Sequence, residues 1–181
     1  MTCLIFTHHW KGLMAGLFSL IVTCGISHAE PYQAFAATGV YLQNHDGDTF
    51  RLQTTEHGVV IVRFAGSDTP ETAQAYWKVA RGQLKSLLAG KQVHVACYKK
   101  NRDRDVCRVF ADGADVGLEM VRRGLAWYAF QFAHEQTRQE RQEYAAAELE
   151  AKSQRLGLWA DTDPMPPWVC RDLRRHGQKC R

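Results

Sequence analysis

No internal repeat and no low-complexity run occurs in the 181 residues, which excludes repeat and fibrous architectures. No Cys-x-x-Cys pair occurs among the six cysteines either, so the usual spacing of a structural zinc site is missing. A strong charge of one sign is absent: the formal net charge of +4 permits a polyanionic partner without requiring one. The longest apolar run, "GLMAGLFSLIVTCGIS", falls short of the roughly 20 residues that span a bilayer and is interrupted by glycines and a threonine. What remains is 45% hydrophobic and 23% charged, a balance that suits one globular domain with a real core.

That apolar run follows Lys11 and ends at "SHA" before Glu30, with small residues at both positions of a cleavage site. The segment 1–29 is therefore read as a signal peptide, in preference to an uncleaved anchor or to lipid attachment at Cys24, whose preceding Thr23 is bulky for such a site. The mature protein is expected to be periplasmic or secreted, monomeric, and without membrane association. Export leaves Cys97, Cys107, Cys170 and Cys180, an even number in an oxidising compartment. Three pairings are open. The local ones, Cys97 with Cys107 across a basic turn and Cys170 with Cys180 around an Arg-rich tail, are preferred over zinc ligation by Cys170, His176 and Cys180.

The patterning alternates strands and helices. "GVYLQ", "DTFRLQ" and "GVVIVRFAG" read as strands, the first two joined at Asp46-Gly47. Val79, Ala80, Leu84, Leu87 and Leu88 recur at helical spacing before Gly90. "KQVHVACY" and "VCRVFADG" form a second strand pair, "VGLEMVRRG" a short helix, and 134–156 a long polar helix closed by Gly157. Pro164, Pro166 and Pro167 end regular structure before the tail. Five strands with a helix between the third and fourth fit a small α+β fold, a five-stranded OB-type Greek-key barrel with three helices. A domain over 30–168 and a Cys/Arg-rich tail over 169–181 are expected.

One residue resists a purely architectural reading. Asp48 shares a strand face, at period two, with Phe50 and Leu52, so its carboxylate points to the apolar side and needs a partner. Arg63 likewise shares a face with Ile61. Taken singly, Arg63 is an ion pair with Asp68 or Glu71, and Glu71, just after Thr69-Pro70, an exposed loop acid.

Together with their surroundings these residues carry a name. "DGDT" (46–49), "RFAGSDTPE" (63–71), "VFADG" (109–113), "MVRRGLAW" (120–127), "GLWA" (157–160) and "PPW" (166–168) stand in an order and spacing that resembles the staphylococcal nuclease family, thermonuclease-like domains on an OB-type barrel with three helices. The resemblance covers about Gly39 to Trp168. It implies a calcium-dependent phosphodiesterase acting on DNA and RNA, with Asp48, Asp68 and the Thr69 carbonyl as Ca2+ ligands and Arg63, Glu71 and Arg104 as catalytic residues. Phe130 and Phe132 fall where the family has two nucleotide-contacting tyrosines, and keep a face for stacking without the hydroxyl. Lys99, Lys100, Arg102 and Arg104 form a basic turn that can gather phosphates or simply be solvated. Asp103 stands where the family carries a glycine, so strain is expected there if the turn requires positive φ. The leading reading is an exported nuclease with no stable protein partner. Its rivals are a catalytically weakened OB-type nucleic-acid-binding module and a disulfide-stabilised envelope protein.

Overall fold

The computed structural model describes residues 32–180. The signal-peptide reading, with Cys3 and Cys24, lies outside the described residues. Alternation of buried and exposed side chains builds the strands: Phe50, Leu52 and Thr54 point inward from β2 (Thr49–Thr54), and Val60, Val62 and Phe64 from β3 (Val59–Phe64). β1 (Phe35–Asn44) begins earlier than "GVYLQ" suggested, because Phe35 to Val40 pair with β5 (Gln92–Asn101) while Gly39 to Asn44 pair with β2. β6 (Arg104–Ala111) follows β5 antiparallel.

The strand order β3-β2-β1-β5-β6 closes on itself through a parallel pairing of Val62 to Phe64 with Asp105 to Cys107. The result is the expected five-stranded barrel, with no free edge among these strands. Two short strands extend the framework. β7 (Ala114–Asp115) pairs with β6, and β4 (Ser67–Asp68) pairs with β8 (Trp127–Tyr128).

Helix α1 (Trp77–Leu88) buries Ala80, Leu84 and Leu88 at four-residue spacing, whereas Val79, also assigned to the apolar set, is 53% exposed. Helix α2 (Val116–Arg122) is capped by Asp115, which accepts from the Leu118 N–H at 3.0 Å. The long polar helix is shorter than its composition suggested. Residues Phe130–Glu135 form a 3-10 turn, and α3 (Arg138–Ser153) starts at a capping box in which Thr137 and Glu140 satisfy each other's backbone N–H groups. Tyr144, Ala147 and Ala151 face the core from α3. Gly124, with φ of 65°, lies against the backbone of Leu156, whose carbonyl oxygen would be 2.2 Å from an added Cβ. That contact sets α2 against the 3-10 turn Gly157–Ala160.

The three expected helices are joined by a fourth. The segment read as an irregular tail is helix α4 (Pro167–Arg175), which places Pro167 at its first turn, where a missing N–H costs nothing. Two devices hold α4 down. Trp168 stacks edge-on against Trp127 at 6.4 Å, itself edge-on to Trp159 at 5.6 Å, and Cys170, fully buried, is bonded to Cys180. The other expected disulfide also forms: Cys97 and Cys107 are directly opposed on β5 and β6 with their Cα atoms 4.0 Å apart. Among the described residues no helix is long and apolar enough to cross a membrane.

Candidate active site

The cleft at one end of the barrel is built where β2 begins and β3 ends. The Asp46-Gly47 hairpin is wider than a two-residue turn, since Asn44 is the last residue of β1 opposed to Phe50. Asp46 shapes it by accepting backbone N–H groups from Asp48 at 3.1 Å and Thr49 at 2.7 Å. Gly47 lets the loop lie flat against its neighbours: an added Cβ would stand 2.8 Å from the Ala80 Cβ and 2.9 Å from the Thr69 Cγ2. Asn44 ties the loop to α1, donating to the carbonyls of Asp46 and Arg81.

Asp48 is 5% exposed and fully partnered. One oxygen accepts from the Thr69 N–H at 2.8 Å and hydroxyl at 2.7 Å, and the other accepts from the Thr49 hydroxyl and contacts the Arg63 guanidinium. Arg63, opposite Thr49 in the β2–β3 register, also donates to Asp68 at 2.8 Å. A single guanidinium thus bridges the two carboxylates. Burial disfavours the charged form of Asp48, but the Arg63 charge and the Thr69 hydrogen bonds prevail and hold its carboxyl below the usual carboxylate range. Asp46 goes the other way. Burial and the neighbouring Asp48 charge push it up to about 7, against the backbone hydrogen bonds and Arg63.

Asp68 is 2% exposed on β4, and a second guanidinium reaches it. Arg171 of α4 donates to both its oxygens, at 2.6 and 3.1 Å, and to Glu71 at 2.7 Å. Burial opposes the charge of Arg171, yet its hydrogen bonds to Asp68 and Glu71 raise its pKa further. Arg174 adds a longer contact to Glu71 and caps the Thr72 carbonyl. The Glu71 loop is fixed by Gln74, whose side chain accepts from the Glu71 N–H at 2.8 Å and donates to the Met165 carbonyl at 2.8 Å. Neither Arg171 nor Gln74 was singled out from the sequence. Helical spacing of Pro167, Trp168 and Cys170 was the available signal for the first, and none was available for the buried amide.

Asp46, Asp48, Arg63, Asp68, Thr69, Glu71, Arg104 and Arg171 line one cleft of about 240 Å³. Lys99 and Phe132 line it too: the Lys99 ammonium lies 5.0 Å from the Phe132 ring centroid and pairs with Glu135, which also accepts from the Tyr98 hydroxyl. Phe130, Lys100 and Arg102 do not line the cleft. Phe130, 63% exposed, packs its ring against Trp168 at 6.2 Å, and Lys100 faces Asp105 at 4.0 Å. Arg102 occupies the tip of the β5–β6 hairpin. It, and not Asp103, takes the positive φ of that turn, 61°, so the strain expected at Asp103 falls one residue earlier and Arg104 enters β6 opposite Asn101.

The donor set suits a hard divalent cation: carboxylate oxygens of Asp48 and Asp68, and the backbone of Thr69, whose N–H is already engaged. Among the described residues no three Asp, Glu, His or Cys side chains converge as a ready cage, so such an ion would take its remaining ligands from water. Asp46 is crowded by Asp48, and Asp48 and Asp68 are each answered by guanidinium groups, so negative charge gathered at this point is balanced by positive charge.

A closed five-stranded barrel whose mouth carries buried acids tied to arginines defines the thermonuclease-like class of OB folds. The family model described as "Staphylococcal nuclease homologue" matches residues 61–161, and the chain belongs to that family. An "Uncharacterized endonuclease" of Escherichia coli O157:H7 is 38% identical over 161 residues, 88% of this chain and 94% of its own length. A protein of the same description from Haemophilus influenzae is 33% identical over 67% of this chain and 66% of its own. A "Probable staphylococcal-like nuclease" of Oryza sativa is 36% identical over 64% of this chain but only 34% of its own length.

Proposed function

We propose that this chain is an exported nuclease that hydrolyses phosphodiester bonds of DNA or RNA with the help of a calcium ion held by Asp48, Asp68 and the Thr69 carbonyl. The observation that carries the reading is the Arg63 bridge between Asp48 and Asp68, set beside Glu71 in one cleft. Two buried carboxylates on one guanidinium are a costly arrangement for stability alone, because each charge must be desolvated.

The phosphodiester is itself an anion, and its charge grows on the non-bridging oxygens as water attacks. Arg63 and Arg104 offer planar forks of donors to those oxygens. Glu71 orients and deprotonates the attacking water, whose oxygen bonds to phosphorus as one ester P–O bond breaks, and the leaving oxygen takes a proton from solvent. The ion, when bound, contributes Lewis-acid stabilisation of the same phosphate. Phe132, 43% exposed beside Lys99, gives a base a stacking face. The disulfides support a mature protein outside the reducing cytosol, secreted or periplasmic.

The test sets Asp48→Asn against Glu71→Gln, with calcium binding and single-stranded DNA binding measured calorimetrically beside cleavage. Asp48→Asn is expected to weaken calcium binding and to raise the calcium needed for cleavage. Glu71→Gln is expected to leave both binding events in place and to lower turnover by about 10² or more, as loss of a general base does. A second reading has one observation in its favour: Glu71 is engaged by Arg171 and Arg174, which suits a nucleic-acid-binding module with a silenced base. DNA binding without calcium-dependent cleavage by the wild-type protein would establish that reading instead.

A further inference from the structure

The cations of this protein fall into two groups. About half of the lysines and arginines among the described residues have acidic partners, as Lys91 with Asp112, Arg108 with Glu140, Arg123 with Glu119, and Lys152 with Glu148. The others have no carboxylate partner among those residues; Arg102, Arg138, Arg141, Arg155 and Lys179 lie elsewhere on the surface, whereas Arg51, Lys78, Arg81, Lys85 and Arg104 gather along hollows that run on from the candidate active site. The site cleft shares His45, Asp46 and Arg104 with a second hollow, to which Arg51 and Arg81 contribute. That hollow shares Asn44 and Arg81 with a third, of about 560 Å³, between β1 and α1.

Lys78, Arg81 and Lys85 follow one another at three- and four-residue intervals on α1, one helical face about 10 Å long. Trp77 and Tyr41 line the same hollow, the Arg81 guanidinium lies 5.9 Å from the Trp77 ring centroid, and the indole N–H of Trp77 is buried without a protein partner. The only acids along the two outer hollows are Asp46, at the site itself, and Asp103. Unpaired cations in a row beside an aromatic platform are what a sugar-phosphate backbone with unstacked bases requires.

We propose that this groove is the path by which one strand of a polynucleotide leaves the active site, its phosphates tracked by Arg104, Arg51, Arg81, Lys78 and Lys85. The proposal rests on the nuclease reading for its substrate, but binding can be measured without turnover. It gives the substrate a minimum length. A strand that fills only the site cleft gains nothing from α1, whereas one of about a dozen nucleotides, within the range held by a single OB barrel, uses both.

The experiment compares wild-type protein with Lys78→Gln/Arg81→Gln/Lys85→Gln by fluorescence anisotropy, with chelator present, on labelled deoxythymidine strands of 3 and 16 nucleotides. Each cation on a single-stranded phosphate contributes a slope of about 0.7 in log affinity against log salt, so loss of the three is expected to lower the 16-mer slope by about 2. Affinity for the 16-mer should fall about tenfold or more, with the 3-mer unchanged. A control of equal charge, Arg122→Gln/Arg123→Gln/Lys152→Gln, should leave the 16-mer affinity near wild type. Thermal melts and the single variant Lys85→Gln, which removes one exposed charge, guard against misfolding.

Equal affinities and slopes for wild type and the α1 variant would overturn the groove, as would an equal loss in the control. If wild-type protein binds the 16-mer through α1 yet never cleaves it with calcium, the groove stands and the nuclease reading falls. If it cleaves normally and the α1 variant binds normally, only the groove falls.

Discussion

Arg171 and Asp68 are 103 residues apart in the chain, and the arginine closes both oxygens of the carboxylate with hydrogen bonds of 2.6 and 3.1 Å. An ion that takes Asp68 as ligand must displace that guanidinium. Arg171→Gln should therefore bind calcium more tightly, by about three- to tenfold, or about 0.6–1.4 kcal/mol. The effect is modest because the Arg171 side chain is 39% exposed and its ion pairs are partly screened. Titration calorimetry at fixed ionic strength reads it directly. Unchanged or weaker calcium binding would show that arginine and metal do not compete.

Gly47→Ala tests the floor of the cleft. The new methyl would meet Ala80 and Thr69 closer than van der Waals contact, and neither neighbour has a flexible end to swing away. A loss of about 1–3 kcal/mol in urea unfolding is expected, the range for overpacking. Calcium binding should weaken as well, since the loop carries Asp48 away from Thr69. Wild-type stability would mean that the loop moves freely over α1.

Glu140 gives a pH signature away from the site. Burial works against its charge, but the Thr137 N–H and hydroxyl and the Arg108 guanidinium hold its pKa below the usual value. A carboxylate depressed in the folded state stabilises fully above its unfolded pKa of about 4.3, and the contribution drains away as pH falls through the folded value. Glu140→Gln keeps an acceptor for the Thr137 N–H but loses the charge opposite the half-exposed Arg108, and should thus cost about 0.2–1 kcal/mol near neutral pH. The gap between variant and wild type should shrink below pH ~4, as read by urea unfolding at several pH values. A pH-independent difference would assign the loss to packing.

The Cys97–Cys107 bridge joins residues already opposed in the β5–β6 ladder, ten apart in sequence. Closing so short a loop contributes about 2–3 kcal/mol by the chain-entropy argument. Cys97→Ala/Cys107→Ala should fold and unfold cooperatively at lower denaturant, with circular dichroism of wild-type form. Failure to fold would mean that the β5–β6 pairing depends on the bridge.

The barrel was legible because its strands obey a simple rule: Phe50 and Leu52 alternate with polar residues, Val93 and Val95 flank His94, and in the more apolar β3 the buried Val60 and Val62 alternate with the more exposed Val59 and Ile61. Asp48 stood out through the same rule, as an acid just before β2 that falls in period with the inward-facing Phe50 and Leu52. The start of α3 was missed because His134 and Glu135 are polar enough to belong to the helix, yet they end the 3-10 turn that precedes the N-cap Thr137. Arg171 was hidden by a run of prolines that reads as punctuation; Pro167 instead opens the helix that carries it. Nothing in the local pattern announces Gln74, whose two hydrogen bonds join loops 91 residues apart.

Helix α4 is also the last element of the described chain to be synthesised. At a ribosomal pace of about 5–20 residues per second, the arginines that cover Asp68 and Glu71 emerge about 5–20 s after the carboxylates themselves. Until α4 docks, Asp68 and Glu71 lack the Arg171 and Arg174 partners. Completion of the cleft is timed by the arrival of the C-terminal helix and the oxidation of Cys170 with Cys180.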